Sequence, residues 1–325
     1  MAAVGDIMMG TDFPYNKLPP DDGRSLFSEV REVLQQADIA FGNLEGPLCD
    51  GGACAKDTES PNVFAFRTPT RFVSNLATAG FKVVSLANNH ALDFGANGSQ
   101  ATKRALTEAG IKFSSKDGEV AEMQVREVKV GLVALSFGSA PRSIIHPKEP
   151  LEEIEKLAKQ VDVLIVSIHG GAEGRGAQNT WDRNEWFLGE PRGNLVKFSR
   201  EAIDRGADLI IGHGPHVPRA IEIYKDRLIA YSLGNFCTYK GMSLIDESGY
   251  APMLVVELAK NGQFLRGKIH SFQQFPPGGP QRDENAKAFN LIKTLSLEDF
   301  PETCPLFIPG GGLQPLYKSD AERKG

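Results

Sequence analysis

The fold of this chain is indicated first by the stretch Ser85-Leu-Ala-Asn-Asn-His-Ala-Leu-Asp-Phe-Gly95. It begins inside a largely apolar run over residues 81–86, which is typical of a buried strand in an α/β sheet. Two amides, an imidazole and a carboxylate follow within residues 88–93. Because α/β sheets bind their ligands where the strands end, the stretch predicts a functional site around Asn89 and His90.

Polar residues follow the ends of other apolar runs in the same way. The full set is Asp6, Asn43, Glu45, Asn89, His90, His169, Glu173, His213, His216 and Asn235. A single histidine after a strand is more often a structural residue, but four of the six histidines belong to this set. Because the C-terminal ends of parallel strands meet at one edge of a sheet, these side chains are expected to converge on one cleft.

The chemistry of this set points to a metal site. Oxygen and imidazole donors suit Mn, Fe or Zn ions, and the absence of cysteine from the set disfavours a structural zinc. One or two such ions would activate a water and stabilise charge on a phosphoryl or acyl oxygen. His90, with Asp93 three residues further on, is the expected general acid and its orienting carboxylate. His146 and His270 have no companion donors and are interpreted as structural.

Composition limits the class of protein. The 325 residues, 41% hydrophobic and 24% charged, are typical of a globular protein with one large or two ordinary domains. A net charge of −5 without a basic run argues against nucleic acid as a partner. No run is long and apolar enough for a transmembrane segment. Only four residues precede Gly5, which is short for a first strand, so the N-terminus is expected to be trimmed.

The order of the predicted elements indicates a mixed sheet. Strands and helices alternate up to residue 110, and neighbouring strands over 120–127 and 129–137 are expected to pair antiparallel. Helices are also predicted over 24–36 and 181–188. We divide the chain into a domain over 1–272 and an extension over 273–325, which holds one helix at 284–295, a Pro/Gly loop and a polar tail from Lys318. Cys49 and Cys54, in a long loop over 47–69, are either isolated thiols or a disulfide, with the disulfide slightly favoured.

Several phrases of the sequence resemble one protein family. They are GDIMMG (5–10), FGNLEGPL (41–48), FRTP (66–69), VVSLANNHALDFG (83–95), VSIHGGAEG (166–174), GADLIIGHGPHVP (206–218) and IAYSLGNF (229–236). Together they resemble the CapA (PgsA) poly-γ-glutamate capsule synthesis family of bacteria, within the calcineurin-like metallophosphoesterase superfamily. The resemblance spans about residues 4–258 and does not include the region after 275.

The resemblance implies a fold and a division of roles. The fold is a metallo-dependent phosphatase-like α/β/β/α sandwich of four layers with mixed sheets. The implied ligands are Asp6 and His216 for one divalent ion, and Asn89, His169 and His213 for the other, with Glu45 near the bridging position. His90 is the implied acid. The residues expected to contact an anionic substrate are Asn43, Arg67, Glu173, Arg175 and Asn235, although Arg67 and Arg175 fit solvated surface charges equally well.

Two departures from the superfamily pattern leave the reaction open. Met8 stands where the superfamily has a histidine ligand, and Glu45 stands where a bridging aspartate is expected, so one metal position is depleted. Three activities remain: a phosphoesterase, a hydrolase of a γ-glutamyl amide or peptide, and a non-catalytic component that binds or exports the polymer. The expected partners are an anionic polymer or phosphoester and membrane-bound components of capsule synthesis. The full-length form is expected outside the cytoplasm or at the cell surface, with a cytoplasmic location left open.

Overall fold

A computed structural model of the chain describes residues 1–138 and 141–316. The strands are β1 (Ala2–Met8), β2 (Ala40–Leu44), β3 (Val83–Ser85), β4 (Lys112–Ser114), β5 (Ala121–Val125), β6 (Val128–Ser136), β7 (Val163–His169), β8 (Glu185–Phe187), β9 (Glu190–Gly193), β10 (Leu209–His213), β11 (Ile221–Tyr224), β12 (Arg227–Ala230), β13 (Asn235–Thr238), β14 (Tyr250–Leu258), β15 (Phe264–Gln274), β16 (Pro280–Arg282), β17 (Leu306–Ile308) and β18 (Gly312–Gln314). The helices are α1 (Arg31–Gln36), α2 (Val73–Ala79), α3 (Gly95–Glu108), α4 (Lys148–Ala158), α5 (Leu195–Asp204) and α6 (Lys287–Asp299). Among these described residues, none of the helices has the length and apolar character needed to cross a membrane.

The strands form two large sheets and one small hairpin. The first sheet has the order β17-β18-β15-β14-β1-β2-β3-β4, with β13 beside β1 and β16 beside β15. The second sheet has the order β11-β12-β10-β7-β6-β5, and β8 pairs only with β9. Parallel pairs such as β1–β2 and antiparallel pairs such as β1–β14 occur in the same sheet. The predicted mixed sheet and the predicted antiparallel pairing of β5 with β6 are therefore confirmed.

Three apolar cores separate four layers. Leu34 of α1 and Leu76 of α2 pack on the outer face of the first sheet. Phe41 of β2 and Ile165 of β7 meet between the two sheets. Helices α4 and α5 cover the outer face of the second sheet, where Ile154 is one of the buried contacts. Because both faces of each sheet are covered, central strands such as β7 are apolar along most of their length, and the predicted α/β/β/α sandwich is confirmed.

The region after residue 272 completes the sandwich. Phe289 and Ile292 of α6 enter the core between the sheets, and Leu295 enters the outer core of the second sheet. Strands β16, β17 and β18 extend the first sheet. The predicted helix over 284–295 is α6, shifted toward the C-terminus. The domain division at 272 stays a prediction, and the predicted tail from Lys318 lies outside the described residues.

Two predicted helices need correction. The helix expected over 181–188 is wrong, because Leu188 and Gly189 adopt positive φ angles and turn the chain into the hairpin β8–β9. The helix expected from residue 24 begins only at Arg31, after a series of turns. Cys49 and Cys54 are free thiols in the structure, against the favoured disulfide.

Candidate metal centre

Strand register brings the polar strand ends together as two rows. In the first sheet Asp6 lies opposite Asn43 on β2 and opposite Asn235 on β13. In the second sheet His169 at the end of β7 lies opposite His213 at the end of β10. All five side chains are buried. Since parallel strands end at the same edge, each sheet supplies one row and the two rows face each other across the sandwich.

The donors of the two sheets meet within a small volume. Asp6, Glu45 and His169 each offer one ligand atom, and these atoms all lie within 4.8 Å of one another. The side-chain amide of Asn43 donates to Asp6 Oδ1 at 2.8 Å and also to Glu45 Oε2. Asn88 Nδ2 donates to Asn43 Oδ1 at 3.1 Å, which fixes the orientation of that amide. Asn43 therefore holds the two carboxylates side by side.

The histidines surround the carboxylates. His216 Nδ1 lies 2.9 Å from Asp6 Oδ2, and His213 Nδ1 lies 3.8 Å from Asp6 Oδ1. His169 Nδ1 lies 3.6 Å from Glu45 Oε2. The rings thus approach the carboxylates from the second sheet and from the loop that follows β10.

Asp6 and His216 form a buried pair of opposite charge. Burial raises the pKa of Asp6, but the hydrogen bond and charge of His216, with a smaller effect of His213, outweigh burial and hold the pKa at about 2. Burial lowers the pKa of His216, but Asp6 outweighs burial, and Glu45 adds to it, so that the pKa rises to about 10. In this pair a carboxylate faces an imidazolium.

Burial shifts the pKa of three other donors toward their neutral forms. Burial, reinforced by the charge of Asp6, raises the pKa of Glu45 well above its usual range. Burial lowers the pKa of His213 to about 4 and that of His169 well below the usual value. A neutral imidazole is the form that binds a metal, so both rings are ready to act as ligands without losing a proton.

Buried polar atoms without partners provide a test of whether a metal fits. They include Glu45 Oε1, Asn89 Oδ1, His169 Nε2, both ring nitrogens of His213, and Asn235 Oδ1. Leaving one buried polar group without a partner costs about 1–3 kcal/mol, so a concentration of them calls for a ligand. Carboxylate, amide and imidazole donors are the set that Mn, Fe or Zn ions accept. The residues present therefore fit a divalent metal.

His90 lies beside this cluster with its predicted partner. His90 Nδ1 is 2.8 Å from Asp93 Oδ2, and the ring lies 4.4 Å from the ring of Phe66. Burial lowers the pKa of His90 more than Asp93 raises it. Lys56, which sequence reasoning missed, lies 2.6 Å from Asp93 Oδ1 and 3.2 Å from His90 Nδ1. The long loop over 47–69 thus places the ammonium group of Lys56 beside His90, the expected general acid.

A cavity of about 1010 Å³ opens beside the donors. Its lining includes Asn89, His90, Glu173, His216 and Asn235 of the predicted set, the phenylalanines Phe64, Phe66, Phe137 and Phe187, and the charged residues Lys56, Glu190 and Arg192. Arg192 had no signal in the sequence, because it lies outside the predicted elements and joins the cavity wall only through the hairpin β8–β9. The cavity is large enough for a ligand well beyond a single phosphate.

Arg67, Arg175 and Met8, which the sequence analysis singled out, bond to residues outside the cavity lining. Arg67 pairs with Asp12 at 2.5 Å, and Arg175 pairs with Asp246 at 2.5 Å. Met8 is buried, and its sulfur accepts the N–H of Gly10 at 3.3 Å. The expected substrate contacts of Arg67 and Arg175 stay predictions.

Polar donors thus meet where the strands of an α/β/β/α sandwich end, and the sandwich belongs to the metallo-dependent phosphatase-like fold class. The model of the family described as bacterial capsule synthesis protein PGA_cap matches residues 1–240. The chain belongs to that family, as the resemblance of its motifs predicted.

Proteins of similar sequence support this family assignment. Some solved structures are also similar to the chain. The chain is 29% identical over 272 residues to the capsule biosynthesis protein CapA of Bacillus anthracis, which covers 76% of this chain and 62% of that protein. It is 28% identical over 314 residues to the PGA biosynthesis protein CapA of Bacillus subtilis (strain 168), covering 90% and 76% of the two chains. Among solved structures it is similar to a 5'-nucleotidase precursor from Thermus thermophilus, at 13% identity and a TM-score of 0.42, covering 92% of this chain and 58% of the other. It is also similar to the purple acid phosphatase PPD1 from yellow lupin, at 11% identity and a TM-score of 0.41, covering 95% and 57%.

Proposed function

We propose that this capsule synthesis protein is a metal-dependent hydrolase of the phosphoesterase type, and that its reaction takes place where the two sheets end. The observation that carries the proposal is the convergence of buried, unpartnered donor atoms from both sheets on one point beside a large cavity. A purely structural polar cluster would satisfy these atoms internally.

The residues divide the work as follows. Asp6, Glu45, Asn89, His169, His213 and His216 would hold the ion or ions. A bound divalent ion supplies a water of lowered pKa and neutralises charge on a phosphoryl oxygen. His90 donates a proton to the leaving oxygen from Nε2, while Asp93 accepts from Nδ1 and fixes the ring. Asn43 holds the side chains of Asp6 and Glu45 next to each other by donating to both.

A second candidate keeps the same site but changes the bond cleaved to a γ-glutamyl amide. The size of the cavity and its phenylalanine walls favour an extended chain over a small phosphoester. The name of the Bacillus subtilis relative, a PGA biosynthesis protein, points the same way. In either case we propose that the chain works outside the cytoplasm with membrane-bound components of capsule synthesis.

Metal analysis tests the common part of both candidates. Protein purified without chelator is expected to carry Mn, Fe or Zn, and His213→Ala is expected to lose most of it. His270→Ala is the matched control, because His270 lies on β15, away from the donors. Wild-type protein with no more metal than His213→Ala would refute the proposal.

Two substrates then separate the candidates. A phosphoesterase turns over an aryl phosphate, and the activity disappears in His213→Ala but not in His270→Ala. A γ-glutamyl hydrolase shortens poly-γ-glutamate, measured by gel filtration, in a His169-dependent way. A metal-loaded protein that binds the polymer but cleaves neither substrate is the non-catalytic component considered from the sequence.

A further inference from the structure

Arg192 is a buried cation in the wall of the cavity. Its side chain, on β9, is only 5% exposed. The guanidinium lies 3.9 Å from the centre of the Phe137 ring and 5.2 Å from that of Phe187. Two aromatic faces therefore fix the plane of the guanidinium and exclude water from it, which strengthens its interaction with an anion.

The hydrogen bonds of Arg192 leave one edge incomplete. Nη1 donates to Glu173 Oε1 at 2.5 Å. Nη2 makes a longer bond of 3.3 Å to Glu190 Oε2, and Nε is buried without a partner. Nε and Nη2 lie on the same edge of a guanidinium, and this edge binds a carboxylate or phosphate with two parallel hydrogen bonds.

Glu190 is a weakly bound carboxylate at the Nε–Nη2 edge of Arg192. It begins β9 at the turn of the hairpin, and its side chain is 63% exposed. It lines the same cavity as Arg192 and touches the guanidinium through one long bond. A ligand anion that reached this edge would exchange that bond for two shorter ones, while Glu190 would return to water at little cost.

The position of Arg192 is fixed relative to the donor cluster. Its partner Glu173 lies 3.9 Å from His216 Nε2, so the ion pair adjoins the cluster directly. Lys56, another cation of the lining, already contacts the side chains of Asp93 and His90 and donates to the carbonyl of Phe64. Arg192 is therefore better placed than Lys56 to receive an anion.

We propose that the Nε–Nη2 edge of Arg192 is an oxyanion subsite, where a carboxylate or phosphate of the substrate displaces Glu190. The subsite rests on the proposed function only in naming the ligand as substrate, because the guanidinium can bind an anion whether or not metal is bound. It makes Arg192 a residue that determines specificity, and it gives Glu190 the role of a competing carboxylate.

Calorimetric titration with glutarate and with inorganic phosphate tests the subsite. Two variants are expected to change the affinity for these anions in opposite directions. Glu190→Gln removes the competing charge and is expected to tighten anion binding by roughly three- to ten-fold. Arg192→Lys keeps a positive charge but loses the fork, and is expected to weaken binding by roughly ten-fold or more. A stronger response to glutarate assigns the subsite to carboxylates, and a stronger response to phosphate assigns it to phosphoryl groups.

Arg175→Lys and Asp246→Asn are the matched controls. They change an Arg–acid pair whose side chains are 55% and 60% exposed and which is not part of the lining, so neither is expected to alter anion binding. Glu190→Gln alters an exposed side chain, so it tests the proposal even if Arg192→Lys fails to fold.

Titrations of chelator-treated and metal-loaded protein distinguish the two proposals. Equal anion binding by wild type, Glu190→Gln and folded Arg192→Lys would overturn the subsite, and the pair with Glu173 would then be structural. If binding requires metal and ignores both variants, the subsite fails while the metal site stands. If binding follows both variants in a protein that retains no metal, the subsite stands and the proposed hydrolase fails.

Discussion

Replacement of Arg219 by methionine tests how the loops around the candidate metal centre are held. Arg219 is 0% exposed, and its Nη1 and Nη2 donate to Glu185 Oε1 and Oε2, each at 2.8 Å. Nη2 also donates to the carbonyl of Ala172 at 2.9 Å. One guanidinium thus ties the hairpin, the exit of β7 and the loop after β10 together. Arg219→Met keeps the length of the side chain but leaves the Glu185 carboxylate without its cation.

The expected loss follows from the burial of the pair. Removing one partner of a buried ion pair costs about 3–5 kcal/mol, because the remaining charge stays in a medium of low dielectric. That is a large part of the roughly 5–15 kcal/mol that keeps a typical domain folded. The matched control is Arg266→Met, whose side chain is 68% exposed and pairs with Glu257; because water screens this pair, the urea midpoint of this variant is expected to stay that of wild type.

Urea unfolding of metal-free protein measures both free energies of unfolding. The double variant Arg219→Met/Glu185→Leu removes both charges and is expected to recover part of the loss. A loss below about 1 kcal/mol for Arg219→Met, or a double variant less stable than the single one, would refute the reasoning. In that case the bidentate pair would contribute no more than an exposed one.

Four further predictions concern the same region. Gly212→Ala is expected to abolish soluble expression, because a Cβ there would lie 2.0 Å from a backbone carbonyl oxygen; Gly51→Ala, with open space around it, is the control. Lys56→Met removes the 2.6 Å contact with Asp93, so chymotrypsin should cleave after the exposed Phe64 faster than in wild type, and an unchanged rate would contradict the contact. Metal at 100 times its Kd is expected to raise the free energy of unfolding by about 2.7 kcal/mol, an increment that chelator removes. Metal affinity should increase with pH, because burial raises the pKa of Glu45 and Asp6 raises that of His216 to about 10, so both must lose a proton to bind; an affinity that calorimetry finds independent of pH would exclude both as ligands.

Sequence reasoning was sufficient wherever local pattern and strand register carry the information. The apolar run over 161–168 predicts a strand buried on both faces, so His169, which follows the run, must lie at the sheet edge, and the observed β7 ends on that histidine. The same logic placed His213 correctly at the end of β10, whereas Asp6 lies two residues before the end of β1. The pairing of His90 with Asp93 was also predictable, because a spacing of three residues in a tight turn brings the side chains together.

Sequence reasoning failed where a contact depends on chain segments that meet only in the folded protein. Residues 181–188 have an apolar spacing close to that of a helix, but the glycine at 189 and the buried pair from Glu185 to Arg219 impose a hairpin. Arg192 acquires its neighbours only through that hairpin. Arg67 and Arg175 looked like free loop cations, because the acids they pair with lie 55 and 71 residues away in the chain.

The central place of β1 has a consequence for the synthesis of the protein. β1 lies between β2 and β14, and the Met1 nitrogen donates to the carbonyl of Val256, 255 residues later. At translation rates of about 5–20 residues per second, one edge of β1 lacks its antiparallel neighbour for roughly 10–50 s. During that time its unpaired N–H and C=O groups are open to strands of other chains. The chain is therefore most prone to aggregate in the interval between the synthesis of β1 and the synthesis of β14.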